Sequence, residues 1–550
     1  MESLELRGGA ARHWLAALCV CSGRCVMAAC GARQSQAWNE RFTQSILEWL
    51  DVAEADRQDI RGLPHGDAAN DALLLALRCR RADEERRERG EPLPSGCLDT
   101  AADPERLFSG LVLACLGVTA GQLARLGEAG ADERLLRPLE YDARSRAAAF
   151  VIGEWLEMPR QFVALHEARA ADALEHAAAD AALGAAGARA LEGDRQRGWG
   201  WRRCLAAGAG VAVAGTLVGV TAGLAAPLMA AGMGAAGIGG LGFLATTGGA
   251  AMVGSLFGVA GGGLVGRRFH VRLRGLREFY FTRLLPEQGV RSLHATILVP
   301  GFVDPAAAAS PFAPIRDVMG LDLGEAFTLY FETRELAALQ GAFAGLVGGA
   351  AKSAATSLVL RQTALGGVVG ALAWPLAILS LGQLVDAPWA VGVERAKRAG
   401  RLLADVLADR AHGKRPVTLV GYSLGALAIF TCLRELRRRG AFGIVETAVL
   451  LGIPADSEDR AAWAECCECV SRSVVVGYSK CDWVLAFLFR TSVLCRSLAG
   501  LSGVDAGAMF RGQPLMRRKL ACVDLAGVVE QHNDYLARMD EVIARIWHVL

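Results

Sequence analysis

Pro416–Leu436 reads PVTLVGYSLGALAIFTCLREL, and its reading decides the fold. Val417–Val420 is a short run of strand formers behind a proline, the pattern of a buried strand. Leu424–Leu436 carries apolar residues at helical spacing. Between them, Gly421-Tyr422-Ser423-Leu424-Gly425 matches Gly-x-Ser-x-Gly. In a chain with 65 glycines among 550 residues the bare pattern says little. A strand before it and a helix after it are what make it specific, because the nucleophile elbow is a strand-to-helix turn. Gly421 and Gly425 let the backbone turn without clashes, and Ser423 then sits at a helix N-terminus, where developing negative charge is stabilised. The bland alternative is an ordinary strand–helix turn with an incidental serine.

A serine nucleophile needs a base, and the base needs a carboxylate to orient it. In an α/β-hydrolase the chain order is Ser, then Asp or Glu, then His. Only His532 and His548 follow Ser423. His548 falls near the end of an apparent terminal helix, whereas His532 lies in VVEQHNDY, a polar break after the last expected strand. For the acid, Asp482 directly follows the strand-like SVVVGYSKC, and Asp456, after AVLLGIP, is the runner-up. Asp534 is too close in sequence to His532 for the usual arrangement. Asp482 could instead only cap the following helix, a role Asp favours, and His532 could be a surface loop residue. For the oxyanion hole, two backbone N–H groups are needed. Leu424 supplies one by position, and the Gly301-Phe302 loop is expected to supply the other.

Outward from the elbow, HATILVPGF (His294–Phe302), AFTLYFE (Ala326–Glu332), ETAVLLGIP, SRSVVVGYSKCDW and KLACVDL each read as a strand. Helical stretches lie between them, at Val391–Arg410 and Leu424–Arg439. Strands alternating with helices predict a mostly parallel sheet covered by helices. The fold class expected is therefore α/β, an α/β-hydrolase domain over 285–550. Residues 101–198 are Ala-rich with helical periodicity and predict a helical domain. Residues 1–100 are expected to be poorly ordered or variable: Glu2, Glu5 and Arg24 argue against a signal peptide.

The strongest signal outside that domain is Cys204–Gly266, which contains no Asp, Glu, Lys or Arg. One membrane span needs ~20 apolar residues, so this stretch predicts a transmembrane hairpin over 199–270, turning between Pro227 and Gly240. Gly208, Gly215 and Gly219 on one arm, and Gly254, Gly258 and Gly262 on the other, allow close helix contact in lipid. Trp199, Trp201, Arg202 and Arg203 precede the stretch, and Arg267, Arg268, Arg272 and Arg274 follow it. Such anchors at both ends favour two cytoplasmic ends. The alternative is a buried glycine-rich hairpin in a globular protein. A further apolar insertion covers 336–390, with Lys352 and Pro375 inside it. It cannot cross the membrane once, because strands of one sheet lie on either side of it. It re-enters, lies on the surface as a lid, or forms a second hairpin.

Composition limits the partners. Lys+Arg minus Asp+Glu is 59 − 57 = +2, which gives no electrostatic footprint for nucleic acid. Hydrophobic residues are 53% while aromatics are 7%, as small-residue membrane helices require. The 15 cysteines are scattered; Cys466 and Cys469 form one CxxC without a second pair, so no metal site is expected. The reading calls for no cofactor.

These segments carry a resemblance. GTLVGVTAGLAAPLMAAGMGAAG, LFGVAGGGLVGRR, ILVPGF, VTLVGYSLGALAIFTCLREL, VLLGIP and VVVGYSKCDWVL resemble the family of transmembrane and coiled-coil domain-containing protein 4, from about Trp199 to the C-terminus. Residues 101–198 resemble it more loosely. The resemblance implies a membrane protein with an α/β-hydrolase domain and a serine-hydrolase-like triad on Ser423, Asp482 and His532. It supplies no substrate, and its coiled-coil label finds no heptads here.

The expectation is thus an intracellular, multi-pass, membrane-anchored serine hydrolase cleaving a lipid ester or thioester, with membrane lipids as partners and the hydrolase domain on the cytosolic side. A catalytically silent membrane scaffold or trafficking adaptor on the same fold is the alternative; a pore built by the glycine-rich hairpin has no polar stripe to support it.

Overall fold

The structure is a computed structural model; it describes residues 9–30, 32–50, 52, 54–62, 104–116, 140–172, 174, 276–284, 292–301, 312–341, 389–482, 484–486 and 497–549. The hairpin expected at 199–270 lies outside the described residues, as do 342–388 of the apolar insertion. Among the described residues no helix is long and apolar enough to cross a membrane. The chain divides into two units: Met1–Gly261 with Leu285–Ala295 and His412–Pro416, and Gly262–Leu284 with Thr296–Ala411 and Val417–Leu550.

The described residues of the first unit are mostly helical. They include α1 (Gly9–Ala29), α2 (Ala32–Trp49), α3 (Glu54–Gly62), α4 (Pro104–Cys115) and α5 (Ala143–Trp155). Leu15 and Leu18 of α1, Phe42 and Ile46 of α2, Phe108 and Leu111 of α4 and Ala148 and Ile152 of α5 share one core. Within 1–100, expected to be poorly ordered or variable, α1, α2 and α3 are helices that pack into this core. In α1, Leu15, Leu18, Cys19, Val20 and Val26 are buried. Asp142 caps α5, accepting from the Arg144 N–H at 2.7 Å, as N-cap aspartates do. Within this unit Arg146 and Glu167, both almost fully buried, form a two-pronged ion pair at 2.8 and 3.1 Å.

The second unit holds most of a mixed α/β sheet. Its strands are β1 (Phe279–Arg283), β2 (Ala295–Val299), β3 (Glu325–Phe331), β4 (Val417–Tyr422), β5 (Val445–Leu451), β6 (Ser473–Tyr478) and β7 (Leu520–Asp524), in the order β1-β3-β2-β4-β5-β6-β7. β4 through β7 are parallel neighbours, and β1 is antiparallel to β3 with Phe279 opposite Phe331. All six strands expected from sequence are present. β3, β4 and β5 are buried at every residue, the signature of strands covered on both faces. β1 was not foreseen. Its sequence FYFTR is short, preceded by Arg277 and Glu278 and ending on Arg283.

The helices of this unit include α6 (Leu424–Arg438), which follows the serine, α7 (Arg460–Cys469) and α8 (Met539–Trp547). Leu424, Leu427, Leu433 and Leu436 of α6 are buried against the sheet, while Arg437 and Arg438 end it where cations suit the helix dipole.

Candidate active site

The turn between β4 and α6 forces its residues into contact. Ser423 has φ 55° and ψ −122°, a conformation that L residues rarely adopt and that surrounding structure must hold in place. Its N–H donates to the Leu451 carbonyl at 2.8 Å, and its own carbonyl accepts from the Leu427 N–H at 3.1 Å. The neighbouring glycines are required by space. A Cβ on Gly425 would lie 2.0 Å from the Val299 carbonyl oxygen, and one on Gly421 would lie 2.7 Å from Ile429 Cδ1. A Cβ on Gly301 would lie 2.4 Å from Leu424 N and 2.2 Å from Gly425 N. The end of β2 is thus pressed against the first turn of α6, whose leading N–H groups have no acceptor within the helix. Phe302, the other expected member of that loop, lies outside the described residues.

The serine, the histidine and the aspartate meet. Ser423 Oγ is 2.8 Å from His532 Nε2, and His532 Nδ1 is 2.6 Å from Asp482 Oδ2. Ser423 and Asp482 have no exposed surface, and His532 is 2% exposed, so His532 is no surface loop residue. Asp482 caps the next helix as well: its Oδ1 accepts from the Leu485 N–H at 3.1 Å. One carboxylate oxygen serves the backbone and the other the imidazole.

The runners-up lie elsewhere. Asp456 accepts from the Glu458 N–H at 2.9 Å and belongs to the turn before α7. His548 is exposed at the end of α8. Asp534 shapes the histidine loop instead of the ring, its Oδ2 accepting from the N–H groups of Glu530 and Gln531 at 2.9 and 2.8 Å.

Two residues escaped the sequence reading in this respect. The Tyr422 hydroxyl donates to the His532 carbonyl at 2.6 Å, and its ring packs on His532 with centroids 5.1 Å apart. Burial, then the nearby Asp482 carboxylate, pushes the Tyr422 phenol well above its ordinary pKa, so it stays a donor. Ser479, in the turn leading to Asp482, donates its hydroxyl to the Val529 carbonyl at 2.7 Å. Tyr422 stood out only as part of the elbow motif; its partner is 110 positions away, which no local pattern reveals.

Cys466, Cys467 and Cys469 are buried on α7, and burial pushes the Cys467 thiol up to about 12. Among the described residues no group of three or more His, Cys, Asp or Glu side chains is gathered for a metal.

Residues 199–548 match the profile of a family described as a protein of unknown function, DUF726. An uncharacterized membrane protein of Caenorhabditis elegans is 38% identical over 62% of the chain and 54% of its own length. The transmembrane and coiled-coil domain-containing protein STS1 of Oryza sativa is 30% identical over 74% of the chain and 61% of its own length. A protein of Saccharomyces cerevisiae named probable lipase MIL1 is 30% identical over 55% of the chain and 27% of its own length. The chain therefore spans little more than half of the first two relatives. No solved structure matches it.

Proposed function

The chain belongs to the DUF726 family of proteins of unknown function, and from that premise we propose that it is a membrane-associated α/β-hydrolase that cleaves a lipid ester or thioester. The relatives' names agree with the resemblance to transmembrane and coiled-coil domain-containing protein 4 and with membrane association. The observation that carries the proposal is the buried chain of hydrogen bonds from Ser423 Oγ through His532 to Asp482, set on a serine held in a strained turn. A relative named probable lipase and the charge-free Cys204–Gly266 support a lipid as substrate.

In this reading Ser423 Oγ attacks the acyl carbonyl while His532 Nε2 takes its proton. Asp482 holds Nδ1–H and stabilises the imidazolium that forms. The oxyanion is stabilised by the Leu424 N–H and by an N–H from the loop that begins at Gly301. His532 then protonates the leaving alcohol or thiol, and water releases the acyl group by the same steps in reverse. Because Ser423 has no exposed surface, substrate entry requires the side chains that cover it to move, and detergent or a lipid surface is the natural trigger.

The test is fatty-acid release from vesicles carrying phospholipid, acylglycerol and acyl-thioester substrates, with and without detergent. Turnover by the wild type should fall by a factor on the order of 10³ or more in Ser423→Ala, with the variant still folded and membrane-bound. Turnover unchanged by that substitution sinks the assignment. No turnover by wild type in any condition leaves the silent scaffold as the better account.

A further inference from the structure

We infer that the end of the sheet bearing Ser423 is the surface that faces the lipid bilayer, so that a substrate passes from membrane to serine without crossing the cytosol; the second clause rests on the hydrolase reading, the first does not. The inference comes from where the described chain enters and leaves its two long apolar stretches. The first, Cys204–Gly266, carries no charged residue, and the second contains Gln362–Val385, likewise free of Asp, Glu, Lys and Arg. Three described segments flank them: the one opening β1 at Leu276–Glu278, the one following β3 at Glu332–Gly341, and the helix that begins at Trp389.

One buried carboxylate gathers all three. Glu332, with no exposed surface and φ 43°, follows β3 directly. Its Oε1 accepts from the N–H groups of Arg277 and Glu278, and its Oε2 pairs with Arg395. Glu278 answers by accepting the Thr333 N–H at 2.7 Å. A carboxylate buried with three donors is held firmly, because breaking any of them leaves charge unpaired. The described flank of the first apolar stretch and both flanks of the second are therefore tied at the carboxyl end of β3.

That end is also the serine's end. A Cβ on Gly392 would lie 3.1 Å from Leu424 Cδ1 and 3.4 Å from Leu339 Cδ2. Leu424, the residue after Ser423, thus lies beside Gly392 of the helix that begins at Trp389, and Leu339, from the segment before the second apolar stretch, reaches the same glycine. Two stretches that seek lipid and emerge beside one strand end fix which face of this unit meets the bilayer. Exposed arginines suit that face: Arg334 is exposed, and the Arg277 side chain, 3.8 Å from Glu335, is 80% exposed, where anionic headgroups would meet them. The opposite end of the unit is marked by Leu321 and Val549, each 52% exposed and joined through the Trp547 indole N–H donating to Asp322 at 3.2 Å. Leu321 precedes the seven-residue β3 and Glu332 follows it, a separation of at least about 20 Å along the strand.

The experiment uses the full chain reconstituted in phosphatidylcholine–phosphatidylserine vesicles, some doped with phosphatidylcholine bearing a spin label on its headgroup. A small fluorescent amino acid is placed singly at Val391 or Arg334 on the serine end, and at Leu321 or Val549 on the other. All four are exposed positions, and two per end guard against a variant that fails to fold; vesicle flotation checks each. The spin label should strongly quench the probe at Val391 and Arg334 and leave it bright at Leu321 and Val549. Equal quenching at both ends, or stronger quenching at Leu321 and Val549, overturns the inference. So does a bright probe at all four positions in protein that floats with the vesicles, which would mean a protein or a second copy covers the serine end. The readout needs no catalysis, so a silent Ser423 and a misassigned membrane face give different results.

Discussion

At the residue scale, the side chains of the site hold one another in place. Tyr422 stands inside the elbow and also grips the histidine loop, since its hydroxyl donates to the His532 carbonyl. Tyr422→Phe keeps the ring and removes that donor. We predict that ester turnover falls between about ten- and a hundredfold, as small misplacements of a reacting group do, with the loss in kcat and KM nearly unchanged. A purely structural role would lower thermal stability and leave the kcat of the folded fraction intact. Ser423 was legible because a glycine-flanked serine between a strand and a helix is a local pattern. Asp482 and His532 were legible by order, each lying in a polar break after a strand. The grips of Tyr422 on His532 and of Ser479 on Val529 were not, because they join residues 110 and 50 positions apart, and only the folded sheet brings such residues together.

At the scale of the element, strand cores could be read while their limits moved. AFTLYFE was expected as a strand through Glu332; the strand stops at Phe331, because Glu332 turns to φ 43° and gives its carboxylate to three donors. β1 could not be read because five residues, with Glu278 before them and Arg283 at their end, give too short an alternation to separate from a loop. α1 was passed over because cysteine and alanine make a weak apolar face. α7 carries the element's own prediction. Burial raises the Cys466 thiol well above its ordinary value and that of Cys467 to about 12. The folded state therefore favours the neutral thiol, and in the unfolded chain these groups ionise from about 9. Their contribution to stability is full below pH 9 and is lost as pH rises from there toward 12. The denaturant midpoint should fall over that window, and a double Cys466→Ala, Cys467→Ala variant should show a shallower fall than wild type. At pH 8 a maleimide should modify the exposed Cys481 and spare both buried thiols until the protein unfolds; rapid native modification of Cys466 or Cys467 contradicts their burial.

At the scale of the whole molecule, the chain joins a helical unit and a mixed α/β unit with long apolar stretches that give the sequence its 53% hydrophobic content. Cys204–Gly266 without a single charged side chain predicts that full-length protein resists extraction from membranes by alkaline carbonate. Removal of 204–266 should shift much of it to the carbonate-soluble fraction; complete extraction of the intact chain would place its membrane attachment elsewhere. The fold class could be read because strands and helices alternate from His294 onward, and so could the serine's place at a strand end. What the whole molecule adds is convergence. Glu332 ties Arg277 and Glu278, after the first apolar stretch, to Arg395, after the second, a meeting of segments more than a hundred positions apart, and Gly392, three positions before Arg395, lies beside Leu424.

The central claim is that Ser423 is a nucleophile activated by His532. The most direct measurement is labelling of membrane fractions with a fluorophosphonate probe, followed by mass spectrometry of the modified peptide, for wild type, Ser423→Ala and His532→Ala. The account predicts a phosphonyl adduct on Ser423 of the wild type, in intact membranes or once detergent opens the site, and none in either variant. An adduct that persists in Ser423→Ala, or a folded, detergent-opened wild type that takes no probe, would contradict it.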